Sequence, residues 1–220
     1  MSLAYDSGPN NGPPVVFLHG LGARRQDWRA ILPEFAADYY VFAPDLRGHG
    51  DSGRVPGEYR FTQYADDIVP FLREVVGEPA ALVGHSLGGV VATVIAADHP
   101  ELVSSVVAAD PPLFTRRRAP TGNSTKYRER FKRAQELAAS GMTEIGLFTM
   151  LQKRSPNRPA YVTRALARNL VKLDPDVFTL ALEGGKQLDF DVEDLIGRLT
   201  RPMLLMLADQ TNGAATTEED

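Results

Sequence analysis

Ala80-Ala81-Leu82-Val83-Gly84-His85-Ser86-Leu87-Gly88-Gly89-Val90 is the stretch that decides the fold. Four apolar residues lead into a glycine-rich turn, and a helix-like apolar run, Val90 to Ala97, leads out of it. Gly84 to Gly88 fit G-x-S-x-G, a strand–turn–helix pattern that holds a serine on a strained turn. Small flanking residues let the backbones pass closely, and Gly84, Gly88 and Gly89 supply them. The turn lifts the Ser86 hydroxyl above the sheet edge. The helix behind it aims unpaired N–H groups at any negative charge that develops there. Ser86 is therefore the candidate nucleophile.

Outward from this turn, strands and helices alternate. Residues 14–18 read as a short buried strand ending at His19-Gly20. Trp28, Ile31, Leu32 and Phe35 have the spacing of one helix face. Residues 40–43 form a second strand, and the glycine-rich stretch 47–57 is loop. Thr62 is placed to cap a helix running to Val76, with a kink expected at Pro70. After the strand 80–83 and the helix 87–97, residues 103–109 form another strand, ending at Asp110-Pro111-Pro112. Strands buried on both faces and separated by helices predict an α/β fold with a mostly parallel sheet flanked by helices.

Residues 113–190 break the rhythm. Helical patterns run over 126–139, 142–153, 159–173 and 177–182, and the sheet resumes at 202–207. The segment 113–190 carries 15 Lys+Arg against 7 Asp+Glu, while the remainder of the chain holds 9 against 21. This shift marks an inserted helical cap. The division expected is core 1–112, cap 113–190 and a second core piece 191–220.

Composition narrows the chemistry. There are no cysteines among the 220 residues, which removes disulfides, thiolate metal sites and a cysteine nucleophile. No apolar run is long enough for a membrane span, and the N-terminus lacks the pattern of a signal peptide. These features predict a cytoplasmic protein with no membrane role. The net charge of −4 and the absence of a binding motif argue against a nucleic-acid partner. Gly48-His49-Gly50-Asp51-Ser52-Gly53 fits G-x-G-x-x-G after a strand, with Asp66 and Asp67 downstream as ribose-binding acids. That fingerprint must open a helix, however, and Pro56-Gly57 intervene. No cofactor is expected.

Three motifs in order now resemble those of the α/β-hydrolase superfamily, in its capped group with a serine nucleophile. Phe17-Leu18-His19-Gly20-Leu21-Gly22 is similar to its oxyanion motif, Asp45 to Gly53 to its second loop, and Gly84 to Gly89 to its nucleophile elbow. The resemblance implies an α/β-hydrolase fold with a cap between strands. It implies Ser86 as nucleophile, and the backbone N–H groups of Leu21 and Leu87 as the oxyanion hole. A serine at the elbow favours hydrolysis of an ester, lactone or related acyl bond through an acyl-enzyme. Relatives that open epoxides or displace halide use an aspartate there.

The resemblance implies an acid and then a histidine after the serine. Asp209 follows the last strand, although Ala208-Asp209-Gln210 departs from the family's Gly-x-x-Asp; Asp110 ends the preceding strand. Both remain candidates. The four histidines are His19, His49, His85 and His99, and none has the family position beyond the last strand. The final strand and helix of the fold are also absent. The expectation is an incomplete chain, nearly inactive by itself, whose complete relative is a hydrolase. The alternative is a non-catalytic binding or scaffold protein on a hydrolase fold. Arg116-Arg117-Arg118, Arg128, Arg130, Lys132, Arg133, Lys153 and Arg154 in the cap suit a small-molecule acyl substrate of anionic character.

Overall fold

The protein is described by a computed structural model covering residues 1–113, 122–183 and 186–209. One six-stranded sheet organises it, comprising β1 (Tyr5–Ser7), β2 (Pro14–Leu18), β3 (Tyr40–Pro44), β4 (Ala80–His85), β5 (Val103–Ala109) and β6 (Met203–Met206). The spatial order is β1-β3-β2-β4-β5-β6. Strands β2 to β6 run parallel, and β1 pairs antiparallel with β3, Tyr5 opposite Pro44. All five residues of β2 are buried, as two-sided coverage of a central parallel strand requires. The sequence reading did not anticipate β1. Its three residues, Tyr-Asp-Ser, carry no alternating pattern, and pairing with β3 is what makes them a strand.

The helices are α1 (Leu32–Phe35), α2 (Phe61–Phe71), α3 (Leu87–Asp98), α4 (Gly122–Ala138), α5 (Glu144–Arg154), α6 (Ala160–Val171), α7 (Thr179–Leu182) and α8 (Val192–Gly197). Helix α3 is apolar all round because it is buried all round, and only Asp98 at its end is exposed. It packs on β4, β5 and α2. The helix expected over Trp28–Phe35 is two short pieces, a 3-10 turn over Arg25–Trp28 and α1. Trp28, Leu32 and Phe35 still pack as a stripe, against Val15, Phe17, Val41 and Ala43.

Helix α2 corrects the expected cap. Arg60 holds the N-cap position, and its N–H donates to Gln63 Oε1 at 2.9 Å. Thr62 is already inside the helix and its hydroxyl donates to Asp189. Pro70 does not end the helix. A π-turn over Leu72–Val76 continues it, and Gly77 closes it at φ 80°.

Helices α4 to α7 interrupt the strand alternation between β5 and β6, and α8 returns the chain to α3. The stretch 169–178 docks on the loops that follow β2 and β3. Asn169 donates to Asp27 at 2.9 Å, Tyr59 donates to Asp174 at 2.6 Å, Asp174 N–H donates to Gly48 O at 2.8 Å, and Lys172 pairs with Asp51. Among the described residues, no helix is long and apolar enough to cross a membrane.

Candidate active site

Ser86 stands between β4 and α3 with φ 50° and ψ −114°, a conformation that costs a residue other than glycine about 1–3 kcal/mol. The surrounding backbone holds it there. Ser86 N–H donates to Ala109 O at 2.8 Å, and Ser86 O accepts from Gly89 and Val90 at 3.0 and 3.1 Å. The glycines are required by close approach. A Cβ on Gly84 would lie 2.2 Å from Gly88 O, and one on Gly88 would lie 2.1 Å from Leu18 O. Strand β4, helix α3 and the end of β2 thus meet with no room for side chains. Leu87, the first residue of α3, presents an N–H with no carbonyl one turn earlier in the helix to accept it.

The loop after β2 reaches the same point. A Cβ on Gly20 would lie 2.8 Å from His85 Nδ1 and 3.4 Å from Ser86 Cβ, so Gly20 lies directly against the serine. Two imidazoles secure this loop. His19 Nδ1 contacts Gly20 O at 2.9 Å while its Nε2 accepts the Leu46 N–H at 2.9 Å. His49 Nδ1 contacts Arg47 O at 2.8 Å while its Nε2 accepts the Gly22 N–H at 3.1 Å. Burial lowers the His19 pKa to about 4 and the His49 pKa to about 3, so both rings are neutral at pH 7.

The glycine loop that mimics a dinucleotide fingerprint is closed around Asp45. That carboxylate accepts the Arg25 N–H at 2.8 Å and the Asp51 N–H at 2.9 Å, and it pairs with the Arg25 guanidinium. Its loop N–H group at Asp51 is therefore already satisfied from within, and no helix opens until Phe61.

Asp110 directly follows β5 with φ 48°, and its N–H donates to Met206 O at 2.8 Å. Because Ala109 pairs with His85 across the sheet, Asp110 stands beside the elbow. Its charge reaches His85: partial desolvation lowers the His85 pKa, Asp110 opposes this and Arg130 adds to it. Asp209 is exposed and lies three residues past β6, at the same edge of the sheet. Ser86, Leu87, Asp110 and the Gly20-Leu21 loop are thus brought together at the carboxyl ends of the strands, with Asp209 further out. In α/β sheets this is where ligands bind.

Sequence reasoning missed Val177 and Phe178. A Cβ on Gly22 would lie 3.3 Å from the Phe178 ring, and one on Gly48 would lie 2.6 Å from Val177. Nothing in their own apolar pattern reveals that they close over two glycine loops more than 100 residues away. Trp28 is core: its ring lies 5.3 Å from that of Phe17. Of the basic residues named from sequence, Arg116, Arg117 and Arg118 lie outside the described residues.

Comparison with known proteins agrees with this architecture. Residues 13–212 match the family described as alpha/beta hydrolase fold. Over 199 residues the chain is 33% identical to a pimeloyl-[acyl-carrier protein] methyl ester esterase of Aeromonas hydrophila, covering 88% of this chain and 75% of the esterase. It is 41% identical over 97 residues to the magnesium-chelatase 30 kDa subunit of Rhodobacter capsulatus, covering 43% of this chain and 34% of that one. The chain thus spans about a third of the length of the Rhodobacter relative and three quarters of the esterase's. Among solved structures, a marine microorganism esterase superposes with a TM-score of 0.75 at 21% identity, covering 100% of this chain and 85% of that one. With sheet order, elbow and sequence match in agreement, the chain belongs to the α/β hydrolase family.

Proposed function

We propose that this chain carries the nucleophilic half of a serine hydrolase acting on a carboxylic ester, lactone or related acyl bond. The observation that carries this reading is the backbone of Ser86, held at φ 50° beside both Gly20 and the first N–H of α3. A binding protein has no need to maintain such strain.

In this reading Ser86 Oγ adds to the acyl carbon while its proton passes to a general base. The carbonyl oxygen becomes an oxyanion and accepts from the N–H groups of Leu21 and Leu87, each donor contributing about 2.7–4 kcal/mol. Collapse breaks the acyl–oxygen bond, and the departing alkoxide takes up the proton to leave as an alcohol. Water then adds to the acyl-enzyme, releasing the carboxylic acid and restoring the Ser86 hydroxyl. Asp110 or Asp209 is the acid that orients the base. The segment 113–190 acts as the cap over this edge, and Arg130, whose charge is felt at His85, favours an anionic acyl substrate. The relative from Aeromonas hydrophila is an esterase, which agrees with the reaction class.

The four histidines do not supply the base. His19 and His49 have both ring nitrogens bonded to backbone, His99 lies beyond the far end of α3 beside Arg73 and Glu101, and His85, the exposed last residue of β4, lies beside Gly20. Turnover by these 220 residues is therefore expected to be slow, about 10³–10⁴ over water from the oxyanion hole and binding alone. The test is hydrolysis of a short-chain nitrophenyl ester together with labelling by a fluorophosphonate. Slow hydrolysis and label at Ser86, both abolished in Ser86→Ala, are the expected results. Rapid turnover removes the impairment. Absence of any label at Ser86 favours the second reading, a binding protein on the hydrolase fold, for which the engagement of His19 and His49 by backbone speaks.

A further inference from the structure

His19 and His49 form a reciprocal pair that the reaction scheme above does not use. Each belongs to one of two adjacent loops, and each accepts a backbone N–H from the other loop. His19, at the end of β2, accepts from Leu46 at 2.9 Å. His49, in the loop after β3, accepts from Gly22 at 3.1 Å. The rings lie 4.9 Å apart, edge to face, and are 2% and 0% exposed.

Accepting an N–H fixes the tautomer. A nitrogen that accepts carries no proton, so Nε2 is bare in both rings and Nδ1 carries the hydrogen. His19 Nδ1–H then donates to Gly20 O at 2.9 Å, and His49 Nδ1–H donates to Arg47 O at 2.8 Å.

These bonds act on the two peptide units on either side of Leu21. In the Gly20–Leu21 unit the carbonyl oxygen accepts from His19 Nδ1–H at 2.9 Å and from Ala23 N–H at 3.1 Å. A trans peptide is planar, with its N–H opposite its C=O. Two donors on Gly20 O therefore point the Leu21 N–H the other way. In the Leu21–Gly22 unit the N–H is held by His49. Gly22 has φ 77°, an angle about which glycine readily turns, so the bond to His49 is a restraint on the second unit.

We propose that His19 and His49 are positioning residues: a pair of neutral, Nδ1-protonated imidazoles that lock the two peptide units flanking Leu21 and so aim its N–H at the oxygen bound beside Ser86. The inference rests on the oxyanion-hole reading of Leu21 for its consequence, but the hydrogen bonds themselves are independent of any chemistry at Ser86. The charged and titratable groups facing the pair are His85 and Arg25 on the His19 side, and Tyr64, Asp45 and Asp174 on the His49 side.

Two measurements on the 220-residue chain test it. The first is the ¹⁵N spectrum of histidine-labelled protein from pH 8 to 5.5. Both rings are expected to show a protonated Nδ1 and a bare Nε2 throughout. An Nε2-protonated tautomer in either ring, or a titration near pH 6, overturns the proposal whatever Ser86 does. The second is the rate of fluorophosphonate labelling at Ser86, followed by intact mass over hours. H49L removes the acceptor at similar size, while H49Q returns an oxygen near the Nε2 position. H49L is expected to label at least tenfold more slowly than wild type, and H49Q to recover to within about threefold. A merely structural histidine would lower the melting temperature in both variants and leave the labelling rate of folded protein unchanged, which overturns the proposal. Should H49L not fold, the wild-type tautomers decide. Should wild type not label at all, the serine-hydrolase reading fails and the tautomers still judge the pair.

Discussion

Ser86 and Asp110 are the two described residues other than glycine with positive φ, at 50° and 48°, and they adjoin each other at the ends of β4 and β5. Strain of about 1–3 kcal/mol at each persists because the ladder continues past the strand ends, through Ser86 N–H to Ala109 and Asp110 N–H to Met206. The Gly-x-Ser-x-Gly spacing made the first legible in sequence; Asp110 was legible only as an acid ending a strand. His19 and His49 were legible as parts of motifs, but their cross-loop bonds were not, because each partner lies 27 residues away. Their burial makes a prediction about acid. Both folded pKa values lie below the ordinary 6.5, so between that pH and about 4 for His19 or about 3 for His49 the unfolded chain binds protons that the folded chain refuses. Stability is fully present above pH 6.5 and is lost as pH falls. The slope is about 1.4 kcal/mol per pH unit for each histidine once below the unfolded value. Asp51 and Glu144, held low by hydrogen bonds to Lys172 and Arg168, add losses in the same direction only near pH 4 and below. Urea melts at pH 7.5, 6.5 and 5.5 are expected to show the decline, with a shallower slope in H49Q. A flat profile from 6.5 to 5.5 would contradict it.

At the scale of elements, the parallel strands were readable because each is a short apolar run between turn residues. Helix α3 was readable because its apolar run follows the glycine turn directly. Strand β1 was unreadable because a three-residue polar segment has no signal of its own. The cap of α2 was misassigned from Thr62 because Asp189, 127 residues on, takes that hydroxyl instead. Pro70 was expected to kink α2. The helix passes into a π-turn just after it, where Leu72 N–H reaches both Ile68 O and Val69 O. The proline has no N–H to offer the Asp66 carbonyl, and its ring crowds the preceding turn. Because Pro70 is exposed, Pro70→Ala removes both penalties without opening a cavity. Allowing for the freer unfolded chain, a gain of about 2 kcal/mol is expected in urea denaturation. A loss of stability would mean that the π-turn depends on the proline ring.

At the scale of the whole molecule, the charge segregation between 113–190 and the remainder was legible from composition alone. Part of it is neutralised across the boundary by the Lys172–Asp51 pair. Among the described residues the sheet ends at β6, and its apolar run leaves Leu204 58%, Leu205 40%, Met206 50% and Leu207 40% exposed on both faces of this edge strand. An exposed apolar edge invites pairing with another chain. The 220-residue protein is expected to bind an apolar dye such as ANS and to scatter light increasingly at tens of micromolar, with both signals reduced in Leu204→Lys. A monodisperse wild-type protein that leaves the dye unbound would refute this.

The sequence by itself determined the parallel strands, helix α3 and the serine turn, because those depend on residues close together in the chain: apolar runs, glycine spacing, and a turn with no room for Cβ atoms. Only the tertiary structure decided how the site is assembled. Gly20 comes to lie against Ser86, Asp110 stands beside His85, Phe178 closes on Gly22, and two histidines exchange acceptors between loops. The physical reason is that each of these contacts joins segments from different strands, and hydrogen bonds and close packing between them exist only once the parallel sheet brings its carboxyl ends to one edge.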